Sequence, residues 1–155
     1  MQVFLIRHAS AVDETLTLRD PHRHLTAYGR TQARSLGDRL RWHDCTPTFV
    51  WSSPLVRALQ TAELVLAGIG ETVTVESMPL LAPDGDAREL VAALKALPAD
   101  AHVLLVGHEP SLSGIGLVLV DDYVTALDKA EAVRIDNGKQ RWRFAWDAEA
   151  PVPVK

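Results

Sequence analysis

The sequence predicts a three-layer α/β/α sandwich with a mostly parallel central sheet, and three observations lead to that fold class. Two near-continuous apolar runs, VFLI at 3–6 and VLLV at 103–106, have the composition of strands buried on both faces. Segments with helical periodicity alternate with short β-type runs along the rest of the chain. No internal repeat or low-complexity segment breaks this alternation. Strands that alternate with helices favour a parallel sheet covered on both faces.

Local signals mark the elements of the first half. They predict a strand at 3–6, a polar loop at 9–25, a helix at 26–42, a strand at 48–51 and a helix from Pro54. Thr26 offers an N-cap hydroxyl for the first helix. Ser53-Pro54 is typical of the start of the second, with the serine as N-cap and the proline at the first helical position. Gly68 is predicted to end that helix.

The second half continues the pattern and closes with a hairpin. We expect a strand at 73–75, a helix that ends before Pro98, a strand at 102–106, a helix from Pro110, and hairpin strands at 132–136 and 141–146. Asp86 is placed as the cap of the third helix. Asn137-Gly138 is a strong turn dipeptide and predicts an antiparallel edge. We assign residues 1–150 to one domain and 151–155 to a loose C-terminal tail.

Length, composition and charge limit the classes of function. A chain of 155 residues with 47% hydrophobic and 23% charged residues is a typical globular domain. Its formal net charge of −4 argues against general binding to nucleic acid or anionic membranes. Cys45 is the only cysteine and is interpreted as structural. No signal peptide or membrane span is evident, so we expect a cytoplasmic protein.

Two histidines follow the two long apolar strands directly. Arg7-His8 ends the first strand and Gly107-His108 ends the second. Ligands of open α/β sheets bind outside the carboxyl ends of the strands, so both imidazoles are expected at one site. Arg7 carries a planar guanidinium that suits a phosphate or a carboxylate. The alternative for each residue alone is a structural salt bridge or a histidine hydrogen-bonded to backbone.

A third segment adds positive charge to this edge. Arg57 lies in the first turn of the helix that follows Ser52-Ser53-Pro54. Helix N-termini have unpaired N–H groups and a dipole that favours anions. Arg57 is therefore a candidate phosphate ligand beside Arg7, although an exposed helical arginine is the plainer interpretation of this residue alone.

Together these residues resemble the histidine phosphatase superfamily, which has the phosphoglycerate mutase-like fold. The similarity covers about residues 3–115. The matching motifs are Arg7-His8-Ala9, Ser52-Ser53-Pro54 with Arg57 and Gln60-Thr61-Ala62, Gly107-His108, and Leu25-Thr26-x-x-Gly29-x-x-Gln32-Ala33. The resemblance implies a phosphatase in which His8 attacks phosphorus and becomes a phosphohistidine. Arg7, Arg57 and His108 would stabilise the phosphoryl oxygens without a metal ion or other cofactor.

The general acid found in larger branches of this family has no match here. Asp84, Asp86, Glu89 and Glu109 are the candidates by position, and each is also explained as a cap or surface residue. The short segment at 78–90 and the small size resemble the SixA-type branch of small phosphohistidine phosphatases. That resemblance implies phosphohistidine on a signalling or phosphotransfer protein as substrate, and we expect a monomer.

Other hypotheses fit the same residues. The first is a phosphatase of small phosphate esters with an unchanged mechanism, and the second is an inactive module that binds phosphoproteins. A metal site built from His8, His22, His24 and His108 is disfavoured because neighbouring arginines would repel a cation. The loop at 13–24 carries Arg19, His22, Arg23 and His24 and is predicted either to rim the site or to be a solvated charged loop.

Overall fold

A seven-stranded sheet with four α-helices packed on its two faces forms the centre of the computed structural model, which describes residues 1–155. The strands are β1 (Gln2–Arg7), β2 (Phe49–Ser52), β3 (Val75–Ser77), β4 (His102–Gly107), β5 (Glu131–Asp136), β6 (Lys139–Ala145) and β7 (Val152–Pro153). The helices are α1 (Ala27–Arg41), α2 (Val56–Ile69), α3 (Ala87–Lys95) and α4 (Ser111–Val120). None of these helices combines the length and apolar character needed to cross a membrane.

The strand order is β3-β2-β4-β1-β5-β6-β7, so the two long apolar strands are central neighbours. β1 pairs in parallel with β4, and β4 pairs in parallel with β2. β5 runs antiparallel to β1, and β6 and β7 continue that antiparallel edge. The prediction of a mixed α/β fold with a mostly parallel centre is therefore confirmed.

Two apolar clusters bury the two faces of the sheet. Residues of β1 and β4 alternate between them, with Phe4 and Leu104 in the cluster under α1 and α2. Leu5 and Leu105 belong to the cluster under α3 and α4. All four side chains are completely buried, as expected for strands covered on both faces.

Two predicted helix caps are confirmed. The Thr26 hydroxyl accepts a hydrogen bond from the Gly29 N–H at 2.9 Å, and the Asp86 carboxylate caps α3. The prediction for α2 is wrong at both ends. Its N-cap is Leu55 rather than Ser53, and its C-cap is Gly70, whose φ of 84° is the left-handed conformation that glycine adopts easily.

Gly68 has a different role from the predicted helix stop. A Cβ atom at this position would lie 2.6 Å from the carbonyl oxygen of Arg34, and one at Gly37 would collide with the backbone of Val65. The two glycines therefore let α1 and α2 pack backbone against backbone. Pro110 also differs from expectation, since it is the N-cap residue of α4 rather than its first helical residue.

The C-terminal region forms the predicted hairpin and adds a strand that was not predicted. Asn137 and Gly138 both have positive φ, 48° and 78°, as a type I′ turn requires. Residues 151–155 were expected to be a loose tail, yet Val152 and Pro153 pair with β6. Free backbone groups on the edge of β6 explain this pairing, because an edge strand accepts a partner readily.

The glycine contact between α1 and α2 leads to a stability prediction. Gly37→Ala will lower the free energy of unfolding by about 1–3 kcal/mol, because overpacking outweighs the better helix propensity of alanine. Gly114→Ala in α4 is the matched control, since nothing lies within 4 Å of its added Cβ, and it will be neutral or stabilising. Urea unfolding of both variants measures the difference. Equal effects of the two substitutions would show that the close approach of α1 and α2 does not make Gly37 necessary for stability.

Candidate active site

The carboxyl ends of β1 and β4 bring the two predicted histidines together. Arg7 lies opposite Gly107 in the parallel register, so the next residue of each strand is a histidine. The rings of His8 and His108 have centroids 5.1 Å apart and are tilted by 55°. Their exposed fractions are only 6% and 4%. The pair therefore forms the floor of a site at this edge of the sheet.

His8 is fixed in one orientation. Its Nδ1 lies 2.7 Å from the carbonyl oxygen of Ala9, and we assign the ring proton to Nδ1 because that oxygen can only accept. The Nε2 atom then carries the lone pair. Burial lowers the pKa of His8 to about 3, and the nearby charges of Arg57 and Arg7 act in the same direction. His8 is a neutral imidazole with a free nitrogen lone pair at neutral pH.

The residues after β1 are anchored by side chains from the two neighbouring helices. The N–H of Ala9 donates to the hydroxyl of Thr61, and the N–H of Ser10 donates to the amide oxygen of Gln32. Gln60 accepts from the N–H of Leu25 at 2.7 Å. The glutamine and threonine residues of these motifs therefore satisfy main-chain groups of the segment after His8 and of Leu25, which pairs with Ala11.

Arg7 and Arg57 both present buried donors without a protein acceptor. Arg7 uses Nη1 to donate to the carbonyl oxygen of Leu127 at 3.0 Å, and its Nε has no partner. Arg57, at 5% exposure, donates from Nη1 to the carbonyl oxygen of Asp20, and its Nε is also unpaired. Since buried donors are nearly always satisfied, these two N–H groups are suited to an anionic ligand.

His108 is held by a residue whose role the sequence did not reveal. Its Nε2 lies 2.8 Å from the hydroxyl of Ser53, which itself accepts from the N–H of Leu55. The serine proton is therefore free to point at Nε2, which leaves a proton on the buried and unpaired Nδ1. Burial, with help from Arg57, lowers the pKa of His108 to about 4. His108 is thus a neutral hydrogen-bond donor.

The loop at 13–24 reaches the site through Asp20. A short 3₁₀ helix, Asp20–His22, places the Asp20 carboxylate 3.4 Å from Nη2 of Arg57 and 2.9 Å from Nε of Arg23. Among the other basic residues of this loop, Arg19 lies 3.6 Å from Glu14, His22 is exposed, and His24 contacts the carbonyl oxygen of Leu25. Asp20 was not singled out in the sequence, where it is one acidic residue among several.

The four candidate general acids lie in other settings. Asp86 is occupied as the cap of α3, and Glu109 accepts from the Ser113 hydroxyl and the Leu127 N–H. Asp84 and Glu89 are exposed.

The structure brings together no group of three or more histidine, cysteine, aspartate or glutamate side chains that could hold a metal ion.

The lowered pKa values of His8 and His108 predict an acid-sensitive stability. Below pH 6.5, the pKa of histidine in the unfolded chain, His8 and His108 bind protons in the unfolded state but stay unprotonated in the folded state. The free energy of unfolding will therefore fall from pH 6.5 towards pH 4, by up to about 1.4 kcal/mol per pH unit for each histidine. His8→Asn or His108→Asn will flatten this slope, and His22→Asn, at an exposed position, is the control variant. Unfolding curves measured between pH 6.5 and pH 4 test this prediction. The same slope in wild type and in both site variants would contradict it.

Most of this chain is similar in sequence to known proteins. The family model of the histidine phosphatase superfamily, branch 1, matches residues 3–82. An uncharacterised protein of Picosynechococcus is 35% identical over 115 residues, which cover 72% of this chain and 68% of that protein. The phosphohistidine phosphatase SixA of Escherichia coli is 34% identical over 112 residues, 71% of this chain and 68% of its own.

A solved structure extends the similarity to the whole fold. The protein histidine phosphatase SixA in complex with tungstate superposes with a TM-score of 0.86 at 27% identity, covering 94% of this chain and 97% of that one. The sheet and the helices described above agree with that likeness. The chain belongs to the histidine phosphatase superfamily, branch 1, in its SixA-like group, and is a phosphatase.

Proposed function

We propose that this protein removes the phosphoryl group from phosphohistidine on a signalling or phosphotransfer protein, with a phosphohistidine on His8 as intermediate. The observation that carries the proposal is the buried, neutral His8 beside two arginines whose Nε donors have no protein partner. The similarity to proteins named phosphohistidine phosphatase supports the choice of substrate.

The first chemical step is a displacement at phosphorus. Nε2 of His8 forms the new N–P bond while the P–N bond to the substrate histidine breaks and its electron pair returns to the leaving ring. The proton on Nδ1 moves no further than its hydrogen bond to Ala9, so the ring stays correctly oriented as it gains charge. A covalent intermediate of this kind divides one difficult displacement into two easier ones.

Arg7, Arg57 and His108 are proposed to bind the phosphoryl oxygens. Their unpaired N–H groups are fixed by the protein before the substrate arrives, so little reorganisation is needed in the transition state. Two guanidinium groups supply the positive charge that magnesium supplies in other phosphoryl transfers, so the proposed reaction uses no metal ion. Water then attacks phospho-His8, releases inorganic phosphate and returns His8 to its neutral form.

The short connection beyond β3 suits a protein-borne substrate. Only residues 78–86 separate β3 from α3, and they contain one 3₁₀ turn, Pro79–Leu81. A connection of this length adds no subdomain over the histidines. A phosphorylated side chain on a folded partner can therefore approach the site, although small phosphate esters could approach as well.

Loss of the nucleophile is the primary test. His8→Asn will abolish phosphate release from a phosphohistidine phosphotransfer protein, and only the wild type will form an acid-labile phosphoenzyme. Wild type will retain full activity in a chelator, and His22→Asn will behave like wild type. Release that is independent of His8 would contradict the mechanism. Faster turnover of phosphate esters than of the phosphohistidine protein would identify small phosphate esters as the substrate class. Binding of a phosphoprotein without formation of a phosphoenzyme would indicate a binding module.

The role of Arg57 gives a second test. Arg57→Lys keeps the charge but removes the Nε donor and the planar fork, so kcat/KM will fall by about 10²–10³-fold. Inhibition by tungstate, a phosphate analogue, will weaken in the same variant. Arg88→Lys, an exposed arginine on α3, is the matched control and will change neither quantity. If tungstate inhibits Arg57→Lys as strongly as wild type, Arg57 does not bind the phosphoryl oxygens.

A further inference from the structure

The Asp20 carboxylate is held beside the phosphoryl site by groups on two elements. Its Oδ1 accepts from Nε of Arg23 at 2.9 Å, and its Oδ2 lies 3.4 Å from Nη2 of Arg57. The main-chain oxygen of the same residue accepts from Nη1 of Arg57, and its N–H donates to the carboxylate of Glu14 at 2.7 Å. Four contacts therefore fix both the backbone and the side chain of Asp20.

Asp20 occupies the mouth of the site rather than its floor. Arg57 is 5% exposed, whereas the Asp20 side chain bonded to it is 45% exposed. The carboxylate therefore lies on the solvent side of the guanidinium, while His8 lies buried below. An in-line displacement places the leaving atom opposite the nucleophile. With His8 at the floor, the leaving group lies towards the mouth, on the side of Asp20.

We propose that Asp20 is a specificity-determining residue that accepts a hydrogen bond from the protonated ring of the substrate phosphohistidine. This inference rests on the proposed function above. A phosphohistidine whose second ring nitrogen carries a proton is a cationic imidazolium, and a fixed carboxylate beside it favours that protonated form. The same carboxylate disfavours leaving groups that are anionic.

The bond changes show why the protonated ring matters. As Nε2 of His8 forms its bond to phosphorus, the substrate P–N bond breaks and the electron pair returns to the substrate ring. Because the other ring nitrogen already carries a proton, the ring departs as neutral imidazole and needs no further proton. An alkyl ester would depart as an alkoxide unless an acid protonated it. An ionised Asp20 that stabilises the protonated ring and donates no proton thus favours phosphohistidine over an alkyl ester.

The charged groups around Asp20 keep it ionised. Arg23 and Glu14 face it from the loop, Arg57 faces it from α2, and its charge also acts on His108. Burial opposes ionisation, but the hydrogen bond from Arg23 and the charge of Arg57 outweigh it and lower the pKa of Asp20. The residue is a hydrogen-bond acceptor at neutral pH and not a proton donor.

Asp20→Asn tests the inference because it removes the charge and nearly preserves the shape. We expect kcat/KM for a phosphohistidine phosphotransfer protein to fall about 10-fold and its alkaline limb to shift by about one unit to lower pH. For 4-nitrophenyl phosphate, whose leaving group needs no proton, kcat/KM will rise about 2- to 3-fold, because the dianion no longer meets a carboxylate. Asp13→Asn, an exposed residue of the same loop, is the control and will change neither value.

Each outcome distinguishes the inference from the function on which it rests. Opposite changes for the two substrates support Asp20 as a specificity residue. A parallel loss on both substrates would mean that Asp20 only positions Arg57, and would overturn the inference while leaving the proposed function intact. A wild-type protein that hydrolyses 4-nitrophenyl phosphate but not the phosphohistidine protein would overturn the proposed function, and the inference with it.

Discussion

The parallel pairing of β1 with β4 places Arg7 opposite Gly107, and the positions of both histidines follow from that register. Side chains of a strand alternate between its faces, so a shift of one residue would exchange the two apolar clusters. Phe4 and Leu5 are buried in different clusters, which makes such a shift costly. The hydrophobic core thus fixes the distance between the two imidazoles. Chemistry at the strand ends depends on packing several residues away.

Burial and charge act together at this edge of the sheet. The protein interior disfavours charged imidazoles, and Arg7 and Arg57 disfavour them further, so both histidines stay neutral. Both arginines remain partly unpaired. An anion that enters would satisfy these donors, and Nε2 of His8 carries no proton that would have to leave before attack. The site therefore combines the proposed nucleophile with positive charge that is only partly paired, and the ends of β1 and β4 together with the first turn of α2 hold these groups in place.

Local chemistry explains which features could be predicted. Thr26, Asp86 and Asn137-Gly138 act on residues within three positions of themselves, and their predicted roles as caps and turn were correct. Ser53 and Gly68 were misinterpreted because their true partners, His108 and the backbone of α1, are distant in the sequence. Asp20 was overlooked for the same reason. The family motifs predicted the histidines at the floor of the site. No local sequence rule could show that Asp20, among the acidic residues, lies at its mouth.

The loop at 13–22 is largely self-contained. Val12 and His24 pair at its base, Thr15 and Leu18 bond to each other, and Glu14 receives the N–H of Asp20. Its side-chain link to the floor passes through Asp20 and Arg57. The floor, by contrast, is anchored by Thr61 and Gln32 from the helices. Separate sets of hydrogen bonds therefore hold the proposed specificity residue and the proposed phosphoryl site, so that substrate range and phosphoryl chemistry can change independently in this fold.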